Sequence, residues 1–351
     1  MAVPSLTDLR RRGRAMLSRG RAALSRGRAA LSQGRPGRSG PAPDTRRQAS
    51  PAVLLLVNPT AGRGRAGRLG PSVVDALRQQ GYSPAVVVTG SLAEATQCAR
   101  RAAEGTIVAA LGGDGFLGAV AAGARVSGAV VLPLAGGRGN DTVRRLGLPL
   151  DPVRTVRAIR ELSIRSIDVG LVNGRPFLGV AHAGFDALAN EYGNAARFPL
   201  GPFVYLYGGI RAFRAWRDVT LTVGVDGQER SSTGWFAAVG GVGQYGGGLR
   251  ICPNAEIDDA LLDVVSLGKS SIANVVVVFL LSYRGRHLGR PGVTSRRGRV
   301  ISISADRELN AYADGELVGP LPMTVTVDPS ALHVLLPGDR PRNAAPLRRR
   351  R

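Results

Sequence analysis

Four short apolar runs, separated by stretches with helical spacing, constrain the fold of the first half of this chain. The runs are Ala52–Val57, Ala85–Val88, Thr106–Leu111 and Ala129–Leu132. They are continuous rather than alternating, which is typical of parallel strands buried on both faces. Val73–Gln79 and Leu92–Ala103 are predicted helices between them, the second opening with a capping-box pattern at Ser91–Glu94. This order predicts an α/β domain built on an open parallel sheet.

The second half of the chain has a different pattern, with short runs that often alternate and are separated by Gly-rich or acidic turns. These runs are Ile167–Val172, Val219–Val225, Trp235–Val239, Leu262–Val265, Val300–Ile303 and Met323–Val327. One helix is predicted there, over Ser271–Leu281, so the pattern indicates a mostly antiparallel β domain. A length of 351 residues fits two domains. The expected divisions are a basic arm (1–49), the α/β domain (50–165), the β-rich domain (166–338) and a basic tail (339–351).

Rare residue types exclude several kinds of site. Lys269 is the only lysine among 47 basic residues, and it lacks the glycines of a P-loop or the glycine-rich loop of a protein kinase. Any nucleotide phosphate must therefore be held by backbone amides and arginine. The two cysteines, Cys98 and Cys252, cannot make a disulfide framework or a zinc site by themselves, which predicts a reducing compartment.

The positive charge is concentrated in the two ends of the chain. The formal charge is +22; residues 1–49 hold twelve Arg against two Asp, and residues 340–351 hold six Arg and no acidic residue. The central part is therefore only mildly basic. Such ends are attracted to anionic lipid or to nucleic acid, and the attraction weakens with salt.

A seven-residue repeat, R-G-R-A-x-L-S, occupies 12–18, 19–25 and 26–32 of the arm. Its leucines have the spacing of an amphipathic helix on a membrane, whereas its glycines favour a disordered arm, and both interpretations stay open. No signal peptide is visible, and the longest apolar run, Ile272–Leu281, is too short to span a bilayer. We expect a cytoplasmic protein that contacts the inner face of the membrane peripherally.

Glycine-rich turns follow three of the four predicted parallel strands, at Asn58–Gly64, Gly112–Gly115 and Gly136–Asp141. Ligands bind at the carboxyl ends of the strands in such sheets. Glycines allow successive N–H groups to face one concavity that suits phosphate, and Arg138 would add a fixed positive charge. Each turn could instead be only a tight turn, and Asn140-Asp141 could be only a helix N-cap.

Two acidic segments lie in the second half. Glu256, Asp258, Asp259 and Asp263 place four carboxylates in eight residues, which suits either a hard metal ion or a solvated loop. Asp314-Gly315 precedes Glu316, and Asp-Gly is also a favoured hairpin turn, so a surface hairpin is the alternative to a catalytic role.

Seven motifs occur in a characteristic order between Ala52 and Pro337. They are VNPTAGRG (57–64), GGDG (112–115), GRGND (137–141), GFDA (184–187), YGGG (245–248), PNAEIDDALLD (253–263) and ADGE (313–316). Together they resemble the diacylglycerol kinase catalytic-domain family, which includes bacterial lipid kinases and sphingosine and ceramide kinases. The resemblance implies a Rossmann-like domain of the NAD kinase and diacylglycerol kinase type, followed by a mostly antiparallel β-sandwich, with nucleotide bound between them.

The resemblance also implies a reaction, in which the γ-phosphoryl group of ATP passes to the hydroxyl of diacylglycerol or a related lipid alcohol, with Mg²⁺. The implied nucleotide-site residues, with the rest of the turns, are Asn58, Thr89, Gly112, Gly113, Asp114, Gly115, Arg138, Gly139, Asn140 and Asp141. Glu316 is implied as proton acceptor, with Asp314 and Asp114 as further catalytic residues. Glu256, Asp259 and Leu261 match a metal site. The implied partners are ATP and a lipid at an anionic membrane surface, with no specific nucleic acid; a homodimer is left open.

The chain departs from the family pattern at several positions. Phe116, Leu117, Gly118 and Ala119 follow GGDG, where most members have T-x-N-E. Arg138 replaces a threonine, Gly240 an asparagine and Ala260 a glycine. These departures keep open the alternative of an inactive regulator that binds lipid or nucleotide. A second alternative, suggested only by the basic ends, is a nucleic-acid-binding protein.

Overall fold

The computed structural model describes most of the chain between the two basic ends. The described residues are 52–185, 187, 188, 192, 208, 211, 212, 216 and 219–338. The arm at 1–49, the tail at 339–351 and Asp186 of the GFDA motif lie outside the described residues, so the predictions for them stay predictions.

The first half alternates strands and helices, as the apolar runs predict. The elements are β1 (Ala52–Val57), α1 (Ala61–Gln79), β2 (Ser83–Val88), α2 (Leu92–Arg100), β3 (Ile107–Gly112), α3 (Asp114–Ser127), β4 (Val130–Ala135), α4 (Asp141–Arg145) and α5 (Pro152–Arg157). All four predicted strands are present, with ends shifted by up to three residues. When strands and helices alternate along a chain, the strands usually pair in parallel. The four strands here are parallel, in the order β4-β3-β1-β2.

Helices cover both faces of this parallel sheet. Leu55 of β1 lies in a core with Val73 of α1 and Val156 of α5. Its neighbour Leu56 points to the opposite core, with Ala95 of α2 and Val120 of α3. Each fully buried leucine contributes about 1.5–3 kcal/mol to folding, which explains why the strands are apolar at every position.

The second half is mostly antiparallel, as predicted. Its elements are β5 (Leu162–Val172), β6 (Arg175–Phe177), β7 (Val180–Gly184), β8 (Val219–Val225), β9 (Gln228–Gly240), β10 (Leu262–Gly268), α6 (Ile272–Ser282), β11 (Val293–Gly298), β12 (Val300–Ala305), β13 (Asn310–Ala313), β14 (Glu316–Pro320) and β15 (Met323–Pro337). The strands pair in the order β14-β13-β7-β9-β8-β12-β15. Their inward side chains form a separate core around Leu221, Ile301 and Val325.

The last strand, β15, joins the two halves. Its first residues pair with β12. From Val325 to Pro337 it pairs with β5, with an interruption after Asp328, and His333 and Val334 pair in parallel with β4 at the edge of the first sheet. The sequence predicted a strand only over Met323–Val327, because Asp328-Pro329-Ser330 interrupts the apolar pattern. A register shift between Asp328 and Leu332 accommodates these residues. The strand fixes the β domain beside the parallel sheet.

Among the helices within the described ranges, none combines the length and the apolar character needed to cross a membrane.

Candidate active site

The three glycine-rich turns meet at the carboxyl edge of the parallel sheet. The N–H of Asn58 donates to the carbonyl of Leu111 at 3.0 Å, and the N–H of Gly136 donates to the carbonyl of Gly112 at 2.7 Å. The turns after β1, β3 and β4 are therefore bonded side by side. This convergence is what the sequence predicted from strand order alone.

The turns approach so closely that side chains are excluded between them. Gly62 has a φ of +59°, and a β-carbon there would lie 2.4 Å from the carbonyl oxygen of Gly136. A β-carbon at Gly137 would lie 2.4 Å from the Cα of Gly113. Bare backbone thus forms the floor of this edge, where main-chain N–H groups can face a ligand.

Helix α3 begins at this edge, with Gly113 as its N-cap and Asp114 as its first residue. The first N–H groups of a helix have no partner within the helix and carry partial positive charge, which favours an anion. Phe116 in the first turn is buried, and its ring fills the space beside Gly112, where a β-carbon would lie 2.4 Å from its Cδ1. The aromatic ring at the position of the family's usual threonine therefore packs under the glycine turn.

A cleft of about 240 Å³ opens above these turns. It is lined by Asn58, Ala61, Gly62, Leu92, Gly113, Gly115, Phe116, Gly137, Arg138 and Glu316. Glu316 belongs to the β domain, whereas the other residues belong to the α/β domain. The cleft therefore lies between the two domains, with exposed Arg138 and exposed Glu316 as its charged side chains.

The hairpin that carries Glu316 is fixed by Asp314. Asp314 and Gly315 have φ values of +50° and +84° and form a two-residue turn between β13 and β14. The segment is therefore a hairpin, and this leaves the predicted catalytic role of Glu316 as a prediction. The Asp314 carboxylate accepts the N–H groups of Leu178 at 2.8 Å and Gly179 at 2.7 Å, and of Val180 at 3.2 Å. Burial, with a smaller contribution from the charge of Asp114, raises the pKa of Asp314 to about 6.

Asp114 and Asn140 hold the loops of the α/β domain. The Asp114 Oδ1 atom accepts the N–H of Thr142 at 2.9 Å, in the first turn of α4. The Asn140 side chain accepts the N–H of Gly137 at 2.8 Å and donates to its carbonyl at 3.0 Å. Asn140 occupies the N-cap position of α4, as the sequence allowed, but its side chain makes no cap bond. Asp114 supplies an acceptor to this helix instead.

Asp141 links the two domains. Its buried carboxylate accepts the Nε2–H of Gln244 at 3.1 Å and the N–H of Gly247, in the YGGG segment, at 2.7 Å. Burial raises the pKa of Asp141, and the charge of Asp114 raises it further. The sequence did not single out Gln244, and a residue 103 positions from its partner gives no local signal.

Asn58, Thr89 and Gly139 have local contacts at the same edge. The Asn58 Oδ1 atom accepts the N–H of Thr60 at 3.1 Å, which shapes the turn after β1. Thr89 is buried, and its hydroxyl donates to the carbonyl of Val57 at 3.3 Å. A β-carbon at Gly139 would lie 2.9 Å from Asp141 Oδ2. Among the predicted nucleotide residues, Asn58, Gly113, Gly115 and Arg138 thus line the cleft, and the others support its walls.

The acidic segment around Asp259 is neutralised by arginine. Asp259 forms an ion pair with Arg297, and its other oxygen accepts the N–H of Leu261 at 3.1 Å. Arg297 also binds the buried Asp263 through Nε at 3.0 Å. Glu256 is exposed.

This arrangement does not favour a bound metal ion, because Arg297 already neutralises the charge of Asp259 and Asp263. In the part of the chain that the structure describes, no group of three or more His, Cys, Asp or Glu residues could hold one. No reaction step is therefore assigned to an ion at this segment.

Comparison with protein families gives two matches that together cover most of the described chain. Residues 52–172 match the family described as diacylglycerol kinase catalytic domain, and residues 179–336 match the YegS C-terminal NAD kinase beta sandwich-like domain.

Several diacylglycerol kinases are similar to this chain over most of its length. A diacylglycerol kinase of Mycobacterium tuberculosis is 31% identical over 304 residues, covering 83% of this chain and 97% of the relative. One of Staphylococcus aureus is 27% identical over 297 residues, covering 81% and 92%. The crystal structure of a diacylglycerol kinase from Bacillus anthracis superposes with a TM-score of 0.63 at 20% identity, covering 82% of this chain and 97% of that one. That structure supports the two-domain architecture.

Proposed function

Because this chain belongs to the diacylglycerol kinase family and is a lipid kinase, we propose that it phosphorylates the hydroxyl of diacylglycerol or a closely related lipid alcohol. One observation carries this proposal. The Oε1 atom of Glu316 lies 3.6 Å from the place a β-carbon at Gly115 would take, in the first turn of α3. A carboxylate from one domain thus stands beside the anion-binding edge of the other.

The phosphates of ATP bind at the glycine turns. The N–H of Gly113 and the N-terminal N–H groups of α3 donate to phosphate oxygens, and Arg138 supplies the positive charge that lysine supplies elsewhere. Mg²⁺ supplied with the nucleotide would neutralise part of the phosphate charge. Asp114 positions the start of α4 beside these turns, because its carboxylate accepts the N–H of Thr142.

Glu316 accepts the proton of the lipid hydroxyl. As the hydroxyl oxygen forms a bond to the γ-phosphorus, the bond between that phosphorus and the bridging oxygen of ADP breaks, and the proton moves to the Glu316 carboxylate. Asp314 is a positioning residue in this scheme, because its carboxylate is held by three backbone N–H groups and fixes the hairpin. The exposed side chain of Glu316 is the one that faces the cleft.

The enzyme acts as a cytoplasmic protein at an anionic membrane surface, where its lipid substrate resides. The arginine-rich ends support this proposal, because each basic residue near such a surface contributes about 1 kcal/mol of attraction. The attraction is expected to fall as salt rises.

Labelled ATP tests the proposed reaction. The full-length protein is incubated with labelled Mg·ATP and either a total lipid extract or diacylglycerol dispersed in detergent. We expect labelled phosphatidate from the wild type and from Asp75→Ala, an exposed surface acid in α1, and little from Asp114→Ala. Thermal stabilisation by Mg·ATP without any labelled lipid would instead identify a nucleotide-binding regulator.

A further inference from the structure

Helix α6 carries an apolar stripe on its solvent side. Ile272, Val276, Phe279, Leu280 and Tyr283 follow the spacing of one helical face and are 55%, 51%, 49%, 61% and 43% exposed. Phe279 and Tyr283 form an edge-to-face ring pair on this surface, with centroids 5.5 Å apart. An exposed apolar patch of this kind marks an interaction site.

The opposite face of α6 already has its packing partners. Val278 is buried in a cluster with Val265 and Phe236 of the β domain, and Val275 packs against the same cluster. The helix is therefore apolar on both sides, which the protein core does not require. The outer stripe is available for a partner outside the β domain.

Positive charge flanks the helix that carries this stripe. Residues 264–305 contain no Asp or Glu. They contain seven basic residues: Lys269, Arg284, Arg286, Arg290, Arg296, Arg297 and Arg299. The first four flank the two ends of α6 and are exposed. Two copies of such a surface would repel each other, whereas an anionic partner with an apolar interior would match it.

The stripe ends beside the active site. The carbonyl of Ser282 accepts the N–H of Arg250 at 3.0 Å, and a β-carbon at Gly248 would lie 3.9 Å from Tyr283 Cδ1. The neighbouring Gly247 is the residue bound to Asp141. The C-terminal end of α6 thus packs on the YGGG segment, which in turn holds the wall of the cleft.

We propose that the outer face of α6 inserts into the headgroup region of an anionic bilayer, with Lys269, Arg284, Arg286 and Arg290 binding the headgroups. This inference rests on the proposed lipid kinase function and names the surface that docks. The five apolar side chains enter the acyl boundary, as in interfacial helices. Docking there holds the YGGG segment and the cleft behind it at the membrane surface.

Vesicle binding by the full-length protein tests this proposal. The double variant Phe279→Ser/Leu280→Ser is compared with Ile164→Ser, an exposed apolar residue of β5 that is 60% exposed. Vesicles of phosphatidylcholine with phosphatidylglycerol are used at low and high salt. High salt screens the arginine-rich ends, so that apolar insertion dominates the remaining binding.

The double variant should bind these vesicles about tenfold more weakly or worse at high salt, while Ile164→Ser binds like the wild type. It should keep wild-type activity on diacylglycerol dispersed in detergent. A Phe279→Trp variant should be quenched by brominated lipid in the vesicles. Equal vesicle binding by the double variant and the wild type, or no quenching, would overturn the proposal.

Two further outcomes separate this inference from its alternatives. Loss of a wild-type dimer in the double variant, with vesicle binding unchanged, would assign the stripe to a second copy and overturn membrane docking. Failure of the wild type to label any lipid would refute the proposed reaction, whereas the binding and quenching results would still decide whether α6 inserts.

Discussion

Gly113 and Gly137 pack backbone against backbone, so that a β-carbon at residue 137 would lie 2.4 Å from the Cα of Gly113. The contact joins the turn after β3 to the turn after β4. Residue 137 therefore cannot carry a side chain without separating the two turns that we propose hold the phosphates of ATP.

Gly137→Ala should therefore weaken Mg·ATP binding by about tenfold or more, because it moves the backbone donors apart, and should destabilise the protein by about 1–3 kcal/mol. Calorimetric titration with Mg·ATP and urea denaturation measure the two effects. Gly70→Ala is the control, since the added β-carbon would lie 4.0 Å from its nearest neighbour, Val57 Cγ2. Unchanged nucleotide affinity in Gly137→Ala would contradict a phosphate site at these turns.

Asp314 should give the protein a recognisable pH dependence. Its pKa is raised from 3.8 to about 6 on folding, so the folded state binds more protons than the unfolded state between these values. The free energy of unfolding of the wild type, relative to Asp314→Asn, should fall as the pH rises from 4 to 6 and then level off. Urea denaturation at a series of pH values measures this difference. A difference that is independent of pH would show that the carboxyl group has an ordinary pKa.

Arg297 should hold the acidic segment without help from a metal ion. Arg297→Gln leaves Asp263 buried without its ion-pair partner and should cost about 1–3 kcal/mol of stability. Arg299→Gln, which removes a neighbouring exposed charge, should cost much less. A chelator should leave the melting temperature of the nucleotide-free wild type unchanged. A clear drop with chelator would instead favour the metal site that the resemblance implies at Glu256, Asp259 and Leu261.

Local patterns in the sequence predicted the parallel sheet and the meeting of its turns. Continuous apolar runs indicate doubly buried strands, and the ends of parallel strands share an edge, so Gly113 and Gly137 could be placed together without a structure. The turn before Glu316 could also be predicted from the sequence, because Asp-Gly is a favoured pair for a two-residue hairpin turn in which both residues have positive φ.

Contacts between distant parts of the chain could not be predicted in this way. Arg297 neutralises Asp259 from another strand, and Gln244 binds Asp141 across the domain boundary. The full length of β15 was hidden by its polar residues at 328–330. Each of these features depends on pairing that only the folded chain creates. The packing of the Phe116 ring against Gly112 likewise could not be predicted, because no local pattern in the sequence indicates it.

Glu316→Gln tests the central claim most directly, with labelled Mg·ATP and detergent-dispersed diacylglycerol as substrates. Glutamine keeps the size of the side chain but cannot take up the proton, so kcat should fall by about 10²–10⁴-fold while the affinity for Mg·ATP stays near that of the wild type. Glu308→Gln, a change at an exposed acid in the loop before β13, should leave both values unchanged. Wild-type kcat in Glu316→Gln would contradict the account.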